Sequence, residues 1–201
     1  AVVLPALMLL HDWLFPPAPG ATRTATVTAS AARVWPAYAG LVPGALMFAA
    51  ARWAVFRESG AFTAFGGDNP IVNAPLWTGV VTAVKVAGYY LGLIVWPARL
   101  SCDYSYNAVT VFGWSMDSGQ DPHAWIAMVV VIALAAVALI AGRRQPALAF
   151  FLGFAAIAYL PISNLLFPIG TIMAERLMYL PLVGVGSAGV LGLALAGDRA
   201  A

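Results

Sequence analysis

Ser163-Asn-Leu-Leu-Phe-Pro-Ile-Gly-Thr-Ile-Met-Ala-Glu-Arg-Leu-Met-Tyr-Leu-Pro-Leu-Val-Gly184 carries the Glu175-Arg176 dipeptide on which the reading of the fold turns. No charged residue occurs from Gln145 to Ala174, and none from Leu177 to Gly197. Two apolar spans therefore meet at one charged pair flanked by Pro161, Pro168 and Pro181. Charge is costly in hydrocarbon, so the pair either sits at a membrane surface or faces a polar cavity. Two readings are open: a membrane-edge Arg with a structural partner, and a functional site.

Outward from this stretch, further charge-free runs cover Val34–Ala51 and Ala124–Gly142. Apolar stretches of about 18 residues or more read as membrane spans. With 62% hydrophobic and 9% charged residues and a mean hydropathy of +0.88, a soluble domain of ordinary composition is excluded. The runs do not alternate as barrel strands do. The expected fold is all-α, a polytopic membrane helical bundle forming a single domain over residues 1–201. Its spans fall at about 1–15, 36–56, 76–96, 125–142, 147–167 and 177–197. A net charge of +2 from dispersed basic residues gives no argument for nucleic acid. Cys102 is the single cysteine, so no disulfide framework exists. The chain opens inside an apolar run without a starting Met or a signal-peptide pattern, which leads us to expect a piece of a longer polypeptide.

Taken in order, His11, Asp12 and Trp13 mark the interfacial tip of the first span. Neighbouring helix positions diverge, so His11 and Asp12 are expected to cap the interface rather than act as a pair. Asp68-Asn69-Pro70 reads as a turn. The third span carries Lys85 near its middle, on one face with Thr78, Thr82, Tyr89 and Trp96. A mid-span Lys must face the bundle interior or water. It either pairs with a carboxylate on another helix or contacts a ligand. Gly88 and Gly92 provide a small-residue spacing for close helix contact, as do Gly184, Ala188 and Gly192 on the sixth span. Asp117, Asp121 and His123 in the loop 97–123 are metal-ligand types, but without further ligands a solvated loop is the better reading. Arg143-Arg144 in a short loop place that loop in the cytoplasm by the positive-inside rule. The loop 97–123 and the turn 167–176 then share the opposite side. The remaining Arg residues divide almost evenly and add no bias. Phosphate-loop, Ser/His/Asp and Cys/His metal motifs are absent, as are tetratricopeptide signatures.

Ser163-Asn164-Leu165-Leu166-Phe167, Gly170, Ala174-Glu175-Arg176, Tyr179, Leu180-Pro181 and Gly184 resemble the transmembrane and tetratricopeptide-repeat (TMTC) family and its bacterial relatives. So do Asp68-Asn69-Pro70 and, further on, Pro97, Leu100, Asp103 and Ser105, which are similar to elements of that family's domain of unknown function. The opening AVVLPALMLLHDWLF is similar to a helix of the same family. The resemblance implies a multi-pass glycosyltransferase of the GT-C type, of which this chain would be a middle-to-late membrane part. The implied activity is protein O-glycosylation, mannosylation in animal members, from a polyprenyl- or dolichyl-phosphate sugar to protein hydroxyls on the lumenal or periplasmic side. Bound cofactor and metal are not expected; the implied partners are the bilayer, the lipid-linked sugar and an acceptor protein. The location would be a bacterial inner membrane, or the endoplasmic reticulum if the source is eukaryotic. The catalytic carboxylate of such enzymes lies in an early loop, expected upstream of Ala1.

With that resemblance, Arg176 is assigned to the donor phosphate, because its planar fork matches phosphate oxygens. Glu175 would organise its surroundings or bind acceptor, and Tyr179 would share the same side of the helix. Asp103 could contact sugar or acceptor, and Lys85 is the further candidate for contact with ligand. Two rivals stand beside this. Lys85 and the Pro-interrupted helices suit a transporter or lipid-handling protein, and a catalytically silent anchor for a repeat scaffold is the third reading.

Overall fold

The computed structural model describes residues 3–15, 36, 39–40, 42–51, 53–54, 68–98, 100–101, 104, 108–113 and 121–200, except the side chains of 199 and 200. Among these residues every regular element is helical. The chain forms two units, Ala1–Thr63 and Ala64–Ala201.

The first unit contains α1 (Leu4–Leu14), entered through Pro5 in its first turn, and α2 (Val42–Ala51). At the end of α1, His11 Nδ1 lies 3.1 Å from Asp12 Oδ1, and the His11 ring stacks on Phe15 at 5.2 Å. The expectation that these neighbours diverge is corrected: in the last turn of α1, which Phe15 N–H closes onto His11 O at 2.8 Å, the two side chains meet.

The second unit holds α3 (Leu76–Val95), α4 (Pro122–Arg144), α5 (Pro146–Tyr159) and α6 (Tyr179–Ala200). Proline sets most of these limits. Pro75 precedes α3, and Trp96-Pro97 ends it, since the residue before proline is pushed out of helical geometry. Pro122 and Pro146 occupy first-turn positions of α4 and α5, where no intrahelical N–H is needed. Among the described residues three helices are long and apolar enough to cross a membrane: Leu76–Val95, Pro122–Arg144 and Glu175–Asp198. Leu4–Leu14, Val42–Ala51 and Pro146–Ile162 are apolar but shorter. Val129, Ile132 and Leu139 on α4, with Val190 and Leu193 on α6, are exposed. Such faces suit hydrocarbon rather than water, consistent with a membrane helical bundle.

Helices α3 and α4 approach closely at Gly88, where an added Cβ would stand 2.4 Å from the Ala127 Cβ. A Cβ on Gly184 would meet Phe151 O and Ala155 N, both at 2.7 Å, so α5 and α6 nearly touch backbones there. This is the small-residue packing of membrane helices. Ala188 is buried one turn on, whereas Gly92 and Gly192 face open space.

The fifth span does not continue helically to residue 167. Its α-helix ends at Tyr159, a 3-10 turn covers Leu160–Ile162, and residues 163–174 run without regular structure. Asn164 adopts φ 59°, a left-handed conformation that Asn tolerates better than most residues. The irregular segment is on the surface at Leu165–Pro168 but buried at both ends. Ile172 and Met173 are 1% and 2% exposed and form the core of this end of the bundle with Ile71, Val86, Tyr90 and Val109.

Candidate functional site

Buried irregular backbone requires a hydrogen-bond partner for each polar group, and helices cannot supply those partners. Here side chains supply them. Asn69 of the Asp-Asn-Pro turn is fully buried and donates through Nδ2 to Asn164 Oδ1 (2.9 Å) and to Ile169 O (2.7 Å). Its own Oδ1 accepts from Ile71 N–H at 3.2 Å, capping the 3-10 turn Pro70–Asn73. Asn164 donates to Thr171 O and Ile172 O, at 3.3 and 3.2 Å, and accepts from Ile169 N–H at 2.8 Å. Ile172 N–H donates to Asp68 O at 3.2 Å. The Tyr90 hydroxyl accepts from Ala174 N–H at 2.7 Å and donates to Ala174 O at 3.0 Å. Two motifs far apart in sequence, Asp68-Asn69-Pro70 and Ser163-Asn164, thus form one clasp. Its product is a rigid base for Glu175-Arg176.

Glu175 and Arg176 open a 3-10 turn, Glu175–Met178, which leads directly into α6. Their environments differ. Glu175 is partly buried, and its Oε1 accepts from Ser101 N–H at 2.9 Å and from the Tyr104 hydroxyl at 2.6 Å. It therefore ties the segment after α3 to the start of α6. Partial burial pushes the Tyr104 phenol up to about 12, helped by its hydrogen bond to the Glu175 carboxylate and by that negative charge. Arg176 is exposed and makes no ion pair or hydrogen bond to any described residue. Tyr179 is also exposed, at the first position of α6. Asp103 and Asp117 lie outside the described residues.

Lys85 is 2% exposed. It pairs with Asp121, the residue just before α4, and donates to Thr110 O and Oγ1 at 3.0 and 3.1 Å. One turn away, Thr82 Oγ1 donates to Thr78 O (2.7 Å) and accepts from Phe112 N–H (2.9 Å). The polar face of α3 thus holds Thr110, Phe112 and Asp121, and Val109 and Phe112 beside it are buried. Asp121 is a packed residue rather than a solvated one. His123 extends the cluster, with Nδ1 3.7 Å from Asp121 Oδ1 and its ring 5.8 Å from that of Tyr89. Among the described residues no three His, Cys, Asp or Glu side chains group as a metal site.

Between the second half of α3 and the first half of α4 lies a cleft of about 730 Å³. Leu91, Leu93, Ile126 and Val130 give it apolar walls. Tyr89, Tyr104 and His123 supply its polar groups, and Met173 closes it against the segment that carries Glu175. Tyr104 belongs to both features, lining the cleft and bonding Glu175. The cleft is largely apolar, and Arg176, without a partner among the described residues, lies three residues along the chain from its lining residue Met173.

Sequence reasoning singled out Glu175, Arg176, Tyr179 and Lys85, and the first three sit together at the start of α6. It did not single out Asn69, Asn164, Tyr90 or Tyr104 as one network. The available signal was Asn164, an isolated amide within a charge-free apolar run. Such a group needs several partners when buried.

No family model matches the chain, and no solved structure matches it. It is 33% identical over 106 residues to the fruit fly Protein O-mannosyl-transferase Tmtc3, covering 48% of this chain and 11% of that protein. It is 27% identical over 127 residues to mouse Protein O-mannosyl-transferase TMTC3, covering 61% of this chain and 13% of that one. Human Protein O-mannosyl-transferase TMTC4 matches at 49% over 43 residues, 21% of this chain and 6% of that protein. The chain thus spans little more than a tenth of the length of these relatives. All of these partial matches are to proteins of the TMTC family.

Proposed function

We propose that this chain forms part of a membrane glycosyltransferase that moves a sugar, mannose in the nearest analogy, from a lipid-linked phosphate donor to a protein hydroxyl. The naming of these relatives as protein O-mannosyl-transferases supports the reaction class. Arg176 carries the residue assignment: it is an exposed guanidinium with no partner among the described residues, on a 3-10 turn whose neighbour Glu175 shares Tyr104 with an apolar cleft. Guanidinium binds phosphate through a planar pair of donors.

In the reaction the acceptor oxygen forms a bond to the anomeric carbon, and the bond from that carbon to the phosphate oxygen breaks. The electron pair departs onto the lipid phosphate. Arg176 holds that developing charge, the kind of interaction that strengthens in the transition state. The hydroxyl proton passes to a carboxylate that we place outside residues 1–201. Glu175 acts as a positioning residue, since its Oε1 is engaged by Ser101 and Tyr104. Tyr179 and Asp103 are proposed to contact sugar or acceptor. Lys85, with its bonds to Asp121 and Thr110, serves the scaffold, which removes the charge that favoured a transport pathway.

The test is Arg176→Ala in the full-length polypeptide, assayed for transfer from a polyprenyl-phosphate sugar. Loss of one such donor costs roughly 100- to 1,000-fold in turnover, with membrane insertion unchanged and partial recovery in Arg176→Lys. Wild-type turnover in Arg176→Ala would overturn the assignment.

A further inference from the structure

At the end of the bundle opposite Glu175, α4 and α5 turn on the single residue Gln145, and α6 returns beside them. The three helices leave a groove of about 310 Å³ whose walls include Val137, Ile140, Leu148, Gly192 and Leu195, with Arg144 at its polar end. Space over Gly192 is open, with nothing within 4 Å of an added Cβ. Arg143 and Arg144 are exposed and have no ion pair or hydrogen bond to any described residue. Asp198 is the one described acidic residue at this end, and it too is exposed.

Two ordinary causes account for the arginines alone. Cations in the last turn of a helix complement its dipole, and paired Arg in a short loop satisfies the positive-inside rule. Neither accounts for an apolar groove that begins at Arg144 and leads down between three membrane helices. A groove that ends at the exposed Arg144, with the exposed Arg143 next to it in the chain, is complementary to an amphiphilic anion. We infer that this corner binds one anionic phospholipid, its phosphate on Arg144 and Arg143 and one acyl chain against Ile140, Leu148 and Leu195. The site is remote from Arg176, and the inference does not rest on the proposed transferase activity.

The experiment incorporates the full-length polypeptide into nanodiscs of phosphatidylcholine with a minor fraction of phosphatidylglycerol. Native mass spectrometry then reads the lipid retained on release. Wild-type protein is expected to retain phosphatidylglycerol in preference to phosphatidylcholine. Arg144→Gln and Arg143→Gln each lower that retention roughly 5-fold, the usual effect of one basic residue at an anionic surface, and the double variant roughly 25-fold. Gly192→Leu keeps both arginines but fills the groove, and lowers retention at least as much as one arginine substitution. Ile140→Trp fills it from α4 at an exposed position, should Gly192→Leu fold poorly. Millimolar inorganic phosphate leaves retention unchanged, because it cannot occupy the groove. Loss in the arginine variants with wild-type retention in both groove variants would reduce the site to a charged surface and overturn the inference. Absence of phosphatidylglycerol preference in the wild type would overturn it outright, including the case where a second copy or another segment fills the groove.

Discussion

Replacing Lys85 by Met should destabilise the protein more than any other single side-chain change on α3. Lys85 is 2% exposed and its partner Asp121 is 18% exposed, so both charges are largely out of water. Removing the ammonium withdraws the donor from Asp121 and from both Thr110 acceptors at once. Breaking one side of a buried pair costs about 3–5 kcal/mol, because the remaining carboxylate stays desolvated without a counterion. For a protein of this size each kcal/mol moves the melting midpoint by about 2–4 °C, so the expected loss is roughly 6–20 °C. The assay is thermal unfolding of purified protein in detergent, followed by tryptophan fluorescence. Three variants complete a double-mutant cycle: Lys85→Met, Asp121→Leu and the pair together. The pair should recover to within about 1–2 kcal/mol of wild type, since apolar replacement of both charges is often close to neutral. An unchanged midpoint in Lys85→Met would show that Asp121 is not held desolvated. A double variant as unstable as either single would show that packing, not charge, fixes Asp121 and residues 109–113 against α3.

Gly88→Val would place carbon 2.4 Å from the Ala127 Cβ and force α3 and α4 apart, costing about 1–3 kcal/mol in the same melts; Gly92→Ala, with open space around it, should not lower the midpoint. The Tyr104 phenol, raised from its ordinary value to about 12, favours its neutral form in the folded state. Its contribution is therefore fully present below about pH 10 and lost as pH rises through about 12. In ultraviolet titration, Tyr104→Phe should remove one tyrosinate from the late part of the curve; removal from the early part would contradict the Glu175 contact. Tyr159 stacks edge-on against Tyr90 at 5.9 Å, but its buried hydroxyl has no hydrogen-bond partner among the described residues. Tyr159→Phe should be neutral or raise the midpoint, and a drop would mean the hydroxyl bonds a group beyond the described residues.

The features legible in the sequence were those set by local rules. Apolar run length located the helices, while Pro75, Pro122 and Pro146 mark where three of them begin. That local signal the reading of the fourth span from residue 125 did not use, although proline acts on its immediate neighbours whatever the tertiary fold. The irregular end of the fifth span was not legible. Residues 163–167 continue the apolar pattern, and hydropathy does not register that Asn164 takes a left-handed backbone and serves four hydrogen bonds. Lys85 illustrates the same limit from the other side. Its position on one helical face says that it needs an anion but not which one. The partner is Asp121, which composition assigns to a solvated loop and packing assigns to the interior.

Glu175 and Arg176 show why adjacent charges need not share a role. Opposite charges side by side in an apolar run invite reading as a self-neutralising pair. The 3-10 turn sends them apart, and each meets a different environment. Glu175 is consumed by Ser101 and Tyr104, two donors on the segment following α3, so its carboxylate acts as a cross-link. Because Glu175 is satisfied elsewhere, it does not quench Arg176. That separation is a condition for anion binding: a guanidinium already paired with carboxylate would have to break one charge-assisted bond to make another. Glu175→Gln therefore discriminates between the roles. The amide oxygen can still accept from Ser101 and Tyr104, so the fold and transfer by Arg176 should both survive at near wild-type levels. A loss of transfer as large as that of Arg176→Ala would instead put the Glu175 charge itself in the reaction and end the positioning argument.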